Sequence, residues 1–430
     1  MLNENKTLEK LLNFGRKIIP RRLFKAGQPI YHWGLAWAGS LFYGFPSRSI
    51  KVIGVTGTKG KSTTVFLISK VLEEALRGSQ GEPAPVAAIG SLGYKIKDKE
   101  WPNNLKMTMP GRFKMHKFMR EAKKAGCKYL VLEVTSEGIK QKRHLGIRFD
   151  SAVLTNIYPE HLESHGSMEN YIQAKEMLFK KAKHAHILNE DEPLLERFKK
   201  FKSNKKILYG WHDWSKLELN TVLEGDFNKY NILAAVAVAE NYGIKIETIK
   251  RALEKVVSVP GRMEYINSGQ SFRVVIDYAH TPDSLELVYS YLRKKLPLGR
   301  KLLCVLGACG GGRDKWKRPE FGRIASQYCD EIILTNEDPY DEDPQSIIKD
   351  IASGIPDSTS SPHAEPETGK HKVKVILDRQ EAIACVLALA TKDDTVVITG
   401  KGSETTLAVA GGRKIPWSDR QVVSDILTLK

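Results

Sequence analysis

The chain has 430 residues, which suits two or three domains better than one small module. Hydrophobic residues make up 41% and charged residues 27%, close to the globular norm, so global disorder and collagen-like repetition are excluded. Lysine and arginine outnumber aspartate and glutamate 67 to 50, a formal charge of +17 that draws anions: nucleic acid, acidic lipid or phosphorylated metabolites. The five cysteines (Cys127, Cys304, Cys309, Cys329, Cys385) form no CxxC pair, which argues against a disulfide framework or zinc ribbon. The start, MLNENKTLEK, lacks the order of a cleaved signal peptide, so a cytoplasmic location is expected.

In chain order, the first feature is a basic and aromatic segment, residues 1–49. It contains IYHWGLAWAGSLFYGF, without an acid or base, preceded by Arg16, Lys17, Arg21, Arg22 and Lys25. The run is short for a bilayer span, which needs about 20 residues. It reads as a helix packed on the next domain, with peripheral membrane contact through residues 16–46 as the alternative. From Ile50, short β-branched runs alternate with helical periodicity: KVIGVTG, TTVFLISKVLEEAL, KYLVLEV, FDSAVLTN. This is the βαβ rhythm of a mostly parallel sheet with helices on its faces. A second series begins with FRVVIDYAH and continues through LLCVLGACGGG, EIILTNEDP, VKVIL and DTVVITGKG. The fold class is therefore α/β with two domains, 50–258 and 259–430, joined near Val259-Pro260-Gly261. Ser353 to Lys370, rich in Ser, Pro and Thr, reads as a surface loop.

The strongest chemical signal is KVIGVTGTKGKSTT. A buried strand delivers Gly57, Thr58, Lys59 and Gly60 into a tight turn, and the helix starting near Lys61 aims its free N–H groups and positive dipole end at a phosphate chain. Lys61 neutralises phosphate oxygens, and the Ser62 hydroxyl, followed by Thr63, joins a Mg²⁺ shell. The strict GxxxxGK[ST] string is broken at Val55. KYLVLEVTSEG places Glu133 at the carboxyl edge of the sheet, where open α/β folds bind ligands, as a Mg²⁺ ligand candidate. TNIYPEHLESHGSMENYIQAKEMLF then crowds Asn156, Glu160, His161, His165 and Lys175 behind a strand. A lone Lys175 on an amphipathic helix is ordinarily a solvated charge; the clustering points to function. Further on come Asn228 and Asn231 at a helix mouth, Arg262 at the domain junction, Asp277 and His280 at a strand end, and a second glycine-rich turn with Arg313, Asp314, Lys317 and Arg318.

Taken in order, VTGTKGKSTT, LEVTSEG, TNIYPEHLESHG, YIQAKEMLF, GDFNKYNILAA, VPGRMEY, IDYAHTPDSL, LGACGGGRDKWKRP, EDPYDEDP, ITGKGSE and IPWSDRQV resemble the Mur ligase family, and within it the UDP-N-acetylmuramoyl-tripeptide synthetase branch. The resemblance implies a P-loop-containing central domain, a Rossmann-like C-terminal domain, and a monomeric ATP-dependent ligase of peptidoglycan precursor synthesis. Such an enzyme adds a diamino acid, L-lysine or meso-diaminopimelate, to UDP-MurNAc-L-Ala-D-Glu through an acyl phosphate. It implies that Lys61 and Ser62 hold the phosphates and the first of two Mg²⁺ ions, that Glu133 and His161 bind magnesium, and that Lys175 is carbamylated to become a metal ligand. Asn228 is implied at adenine with Asn231 beside it, Asp277 at ribose with His280 beside it, and Arg262 at the phosphates. Thr108 is implied at the muramoyl substrate, Tyr340 and Glu404 at the incoming amino acid, and Thr135, Ser136, Arg143, Glu337, Asp338 and Gly400 among the further substrate-binding residues.

Several departures from the family pattern stand out, among them a central domain trimmed between Leu208 and Leu223. About fifty residues without a βαβ pattern occupy the place of the N-terminal uridine-binding domain. Glu137 stands where a histidine is usual. Tyr340 replaces the arginine that clamps the distal carboxylate of diaminopimelate; a neutral hydroxyl supplies no countercharge, which favours L-lysine or another diamino acid lacking that carboxylate. A Mur-like ligase on another carboxylate (folylpolyglutamate synthase-like, lipid-II-modifying or cyanophycin-type) is the alternative. A basic nucleic-acid-binding P-loop protein is a remote one, unsupported by any RNP string or zinc finger, so no nucleic-acid partner is expected.

Overall fold

The computed structural model describes residues 21–104, 107–160, 162–312, 314–356 and 372–428. Arg16, Lys17, His161, Arg313 and most of the 353–370 stretch lie outside the described residues. The chain divides into two compact units, one comprising the residues up to Val222 with Asp226–Val256, the other Leu223–Gly225 with the residues after Val256.

The first unit is built on an eight-stranded sheet in the order β4-β3-β2-β5-β1-β6-β7-β8. At its centre β1 (Lys51–Thr56) pairs in parallel with β5 (Tyr129–Glu133) and β6 (Phe149–Leu154), in a register that sets Val55 opposite Glu133. Covered on both faces, β1 buries all but its first residue, which is why it reads as one continuous apolar run. β2 (Val86–Gly90), β7 (Ala185–Asn189) and β8 (Lys205–Tyr209) extend the parallel part. The short β3 (Gly93–Ile96) and β4 (Lys99–Trp101) add antiparallel turns that the alternating α/β rhythm did not announce. Helix Met168–Lys181 approaches β1 so closely that a Cβ on Gly54 would lie 2.7 Å from Leu178. Alanines 234, 235, 237 and 239 of helix Asp226–Asn241 are buried, small residues that fit a crowded face.

The aromatic segment forms helix Arg21–Phe42, docked on this unit as the packed-helix reading expects. Its Ala36, Gly39 and Ser40 face inward. The Ser40 hydroxyl donates to the Gly146 carbonyl at 3.1 Å, and the Arg148 amide donates to Ser47 at 3.1 Å, so the helix end is tied to the loop that enters β6.

The second unit carries a six-stranded sheet, β13-β12-β11-β14-β10-β9. β10 (Arg273–Ile276), β11 (Leu302–Leu306), β12 (Glu331–Leu334), β13 (Lys372–Val375) and β14 (Thr395–Ile398) run parallel, and β9 (Glu264–Ile266) is antiparallel at the edge. After β14 the chain makes a hairpin, β15 (Thr406–Val409) with β16 (Arg413–Pro416), where the parallel rhythm led no helix to be expected. All five cysteines are free thiols, as their spacing implied.

One buried charge pair braces this unit. Arg379 donates to both carboxylate oxygens of Asp419 at 2.8 Å and to the Thr399 carbonyl at 2.8 Å, while the Trp417 indole N–H donates to Asp419 at 2.7 Å. Removing one partner leaves a buried charge uncompensated. Arg379→Met is therefore expected to lower the stability of this unit by about 3–5 kcal/mol in urea unfolding. Arg379→Met/Asp419→Leu is expected to recover only part of that, since Trp417 and the Thr399 carbonyl stay unpartnered.

Candidate active site

The loop between β1 and helix Lys61–Leu76 is shaped by two glycines for different reasons. Gly57 lies against β6: a Cβ there would fall 1.8 Å from Thr155 Oγ1. Gly60, the residue before the helix, has φ +79°, and a Cβ would fall 2.2 Å from Asn231 Oδ1. The strand β6 then grips the loop from outside. The Thr58 amide donates to the Asn156 carbonyl and the Lys59 amide to Asn156 Oδ1, both at 2.8 Å, while Thr155 Oγ1 donates to the Lys59 carbonyl at 2.7 Å. No side chain caps the helix, so its first N–H groups and its positive end are left to a ligand. Lys61 lies back over the loop and donates to the Thr58 carbonyl at 2.7 Å, Lys59 pairs with Glu160 at 3.9 Å, and Thr63 is buried in the first turn.

Beneath the helix start, Ser62 Oγ donates to Glu133 Oε2 at 3.0 Å, and the Ser91 amide donates to the same oxygen at 2.8 Å. The Ser91 hydroxyl also meets Thr108 Oγ1 at 2.9 Å, which draws the MTMPGR loop to the carboxylate. These are hydroxyl and carboxylate oxygens, the donor set that suits a hard divalent cation such as magnesium. No group of three or more His, Cys, Asp or Glu side chains forms a metal cluster among the described residues.

Lys175 is fully enclosed, with its Nζ 2.5 Å from the Gly57 carbonyl and 4.4 Å from the centre of the Tyr171 ring. Burial, reinforced by the nearby Lys61 ammonium, depresses its pKa well below the ordinary lysine value. Tyr171 also meets the Thr58 hydroxyl at 2.9 Å, so helix Met168–Lys181 supports the loop from below. Asn231 accepts from Thr64 Oγ1 at 3.2 Å and contacts the neighbouring Asn228 at 3.5 Å, which joins both asparagines to the same cluster.

Four of the predicted substrate residues, Thr108, Thr135, Ser136 and Arg143, are connected to this edge. Thr135 caps helix Ser136–Lys140 by accepting from the Gly138 amide, Ser136 is buried, and Arg143 donates to the Met109 carbonyl and, at 2.6 Å, to Gln141. Since Met109 follows Thr108, Arg143 fixes the Thr108 loop against that helix. Glu137 accepts from Ser164 and faces His165 Nε2 at 3.3 Å.

In the second unit the predicted residues fall into one chain of contacts. The Arg262 guanidinium lies over the Tyr278 ring at 4.3 Å, and the Tyr278 hydroxyl donates to Glu404 at 3.3 Å. Buried Lys401 pairs with Glu404 and, at 3.1 Å, with both carboxylate oxygens of Asp338, which also accepts from the Ala408 amide at 2.6 Å. Glu337 packs under Gly400 (φ +102°), where a Cβ would lie 2.2 Å from its carboxylate. Burial pushes its pKa up to about 7 against the pull of Lys401 and Arg379. Tyr340, half-buried at φ +53°, donates its amide to the Ala408 carbonyl at 3.2 Å. Asp277 accepts the Met263 and Ala279 amides, each at 2.7 Å, which makes its carboxylate a clamp on the turn after β10. His280 is exposed and bonds the Tyr278 carbonyl at 2.8 Å.

Three participants escaped the sequence reading. Ser91 sits in an ordinary-looking turn, and Tyr278 carries no spacing signal. Lys401, inside GKGSE, was legible as a lysine between glycines directly after a buried strand. His161 lies outside the described residues, so the structure gives it no place.

Known proteins match both units. Residues 55–213 match the Mur ligase middle domain and residues 261–402 the Mur ligase glutamate ligase domain. The chain is 38% identical over 408 residues to the UDP-N-acetylmuramoyl-L-alanyl-D-glutamate–2,6-diaminopimelate ligase of Aquifex aeolicus (strain VF5), covering 90% of this chain and 79% of that protein. It is 34% identical over 427 residues to the UDP-N-acetylmuramyl-tripeptide synthetase of Roseiflexus sp. (strain RS-1), covering 90% and 80%. Among solved structures, a UDP-N-acetylmuramoyl-L-alanyl-D-glutamate–2,6-diaminopimelate ligase aligns with TM-score 0.56 at 28% identity, covering 88% of this chain and 78% of that one. A Mycobacterium tuberculosis folylpolyglutamate synthase complexed with ADP and AMPPCP aligns with TM-score 0.63 at 16% identity, covering 86% and 92%, a likeness of fold alone. With both domains matched in order and a relative 38% identical over nine-tenths of this chain, the chain belongs to the Mur ligase family.

Proposed function

We propose that the protein is an ATP-dependent amide-forming ligase that adds a diamino acid, L-lysine or meso-diaminopimelate, to UDP-MurNAc-L-Ala-D-Glu. The observation that carries this reading is the 38% identity with a ligase named for that acceptor over 90% of this chain, supported by the glycine turn and uncapped helix start at Lys61. Folylpolyglutamate synthases share the fold at 16% identity, too little to carry a substrate.

The chemistry the reading needs is activation of a carboxylate by the γ-phosphoryl group of ATP and capture of the acyl phosphate by an amine. Positioning and charge compensation supply most of the catalysis in phosphoryl transfer. The loop from Gly57 to Ser62 offers backbone N–H groups, a helix N-terminus and the Lys61 ammonium to the phosphates. Ser62 and Glu133 would hold magnesium, which when bound offsets charge on the phosphate oxygens. Lys175 suits carbamylation: enclosure lowers the cost of giving up its proton, and the neutral amine would add CO₂ with release of one proton, giving an anionic oxygen that would hold a second magnesium. Asn228 and Asn231 serve the adenine side, Asp277 and His280 the ribose, and Arg262 the phosphates. Thr108, Thr135, Ser136 and Arg143 serve the muramoyl peptide. Glu404, Glu337, Asp338 and Gly400 receive the incoming amino acid, with Tyr340 bearing on which one enters.

Lys61→Ala is expected to abolish ligation, measured as ADP release dependent on UDP-MurNAc-L-Ala-D-Glu and a diamino acid, while the circular dichroism spectrum and unfolding midpoint hold. Wild-type turnover in that variant would overturn the site, and no turnover of the native enzyme with either amino acid would overturn the substrate assignment. Depleting dissolved CO₂ is expected to lower the rate, with bicarbonate restoring it in the native protein and not in Lys175→Ala. For Tyr340→Arg the ratio of diaminopimelate to lysine use is expected to rise, because the guanidinium supplies the countercharge a second carboxylate requires; an unchanged ratio would move specificity to other residues.

A further inference from the structure

From Tyr31 onward, helix Arg21–Phe42 buries one side and leaves the other to solvent. The outward side is aromatic and aliphatic: Trp33 is 56% exposed, Trp37 40%, Leu41 68% and Phe42 72%, with Tyr31 beside them. Trp33, Trp37 and Leu41 recur at i, i+4 and i+8, one stripe along the helix. From Ala26 to Ser47 the sequence has no lysine, arginine, aspartate or glutamate, so nothing charged interrupts it. Large apolar stripes of this kind mark a surface that something covers.

The neighbouring helix indicates what. Arg112–Lys124 packs alongside, with Phe113 meeting the Phe42 and Tyr43 rings at 6.3 Å and Arg120 donating to the Tyr43 carbonyl at 3.2 Å. It carries Arg112, Lys114, Lys117, Arg120, Lys123 and Lys124 against the single acid Glu121. Arg120, Lys123 and Lys124 are exposed, and Arg48, just beyond the aromatic helix, is exposed as well. The aromatic helix itself opens with Arg21, Arg22 and Lys25 in sequence. An aromatic stripe bordered by cations matches the boundary of an anionic bilayer, where indole rings sit at headgroup level and lysine and arginine meet lipid phosphates. The helix does not qualify as a span: no helix among the described residues is long and apolar enough to cross a membrane, and the inner face of this one is taken up by protein.

We propose that the outward face of helix Arg21–Phe42, flanked by the basic helix Arg112–Lys124, is a peripheral docking surface for membranes containing anionic lipid. The helix lies flat, its tryptophans entering the interface while the basic side chains hold the headgroups. Nucleic acid is disfavoured as the occupant because a phosphate backbone accounts for the cations and leaves the aliphatic part of the stripe uncovered.

The test is sedimentation of the full chain with phosphatidylcholine vesicles, with and without phosphatidylglycerol. Binding is expected with the anionic vesicles and at least about tenfold weaker with neutral ones. Trp33→Ser/Trp37→Ser and, separately, Lys123→Glu/Lys124→Glu are each expected to cut binding about tenfold or more, with ADP release in lipid-free solution unchanged. Failure of the native chain to sediment with anionic vesicles would overturn the proposal. So would binding indifferent to the tryptophan pair, which would mark a generic basic surface, or a lipid-free dimer that the tryptophan pair dissociates, which would assign the stripe to a second copy.

Discussion

The edge proposed to bind nucleotide depends on one steric constraint: at Gly57 the chain passes so close to Thr155 that no side chain can exist there. That approach lets β6 take hold of the loop through Thr155 and Asn156, so the turn arrives at the helix already formed. A preformed turn leading into an uncapped helix start costs little to bind an anion, because the ordering was completed during folding. Gly60 adds the left-handed residue that starts the helix without a side-chain cap, which leaves the orphan N–H groups for the ligand.

The enclosed lysine belongs to the same construction. An ammonium shut away beside a second ammonium is unfavourable, and Lys175 relieves this by giving up its proton more readily than a solvated lysine. Its carbonyl partner at Gly57 keeps the nitrogen aimed at the loop. In the second unit the opposite solution appears: Lys401 keeps company with Asp338 and Glu404, a buried cation between two carboxylates. Glu337, equally buried and less well compensated, holds its proton toward neutral pH. Buried charge is thus handled by a depressed lysine pKa in the first unit and by pairing in the second.

A helix along the flank of the first unit shows a third use of chemistry. Its inner side is made of Ala36, Gly39 and Ser40, which permit close docking, and its outer side is made of residues that docking leaves uncovered. The chemistry proposed at the loop after β1 and the attachment proposed at the flank therefore draw on different elements of one domain.

The alternation of β-branched runs with helical periods was enough to determine two largely parallel α/β domains, and the glycine–lysine–serine string was enough to place a tight turn between a buried strand and a helix, because both are local properties of a few adjacent residues. Residues such as Glu133, placed at a strand end, were legible for the same reason. What sequence left open was decided by contacts between distant positions. The antiparallel additions β3, β4, β15 and β16 are too short to carry a period. Ser91 meets Glu133 and Thr108 only because β2 is the neighbour of β5. The depressed pKa of Lys175 and the Lys401–Asp338–Glu404 network arise from burial and proximity, which exist only once the chain has packed. Which side of the aromatic helix faces solvent was equally unreadable, since an apolar run without charges has no outer face until the protein supplies the inner one.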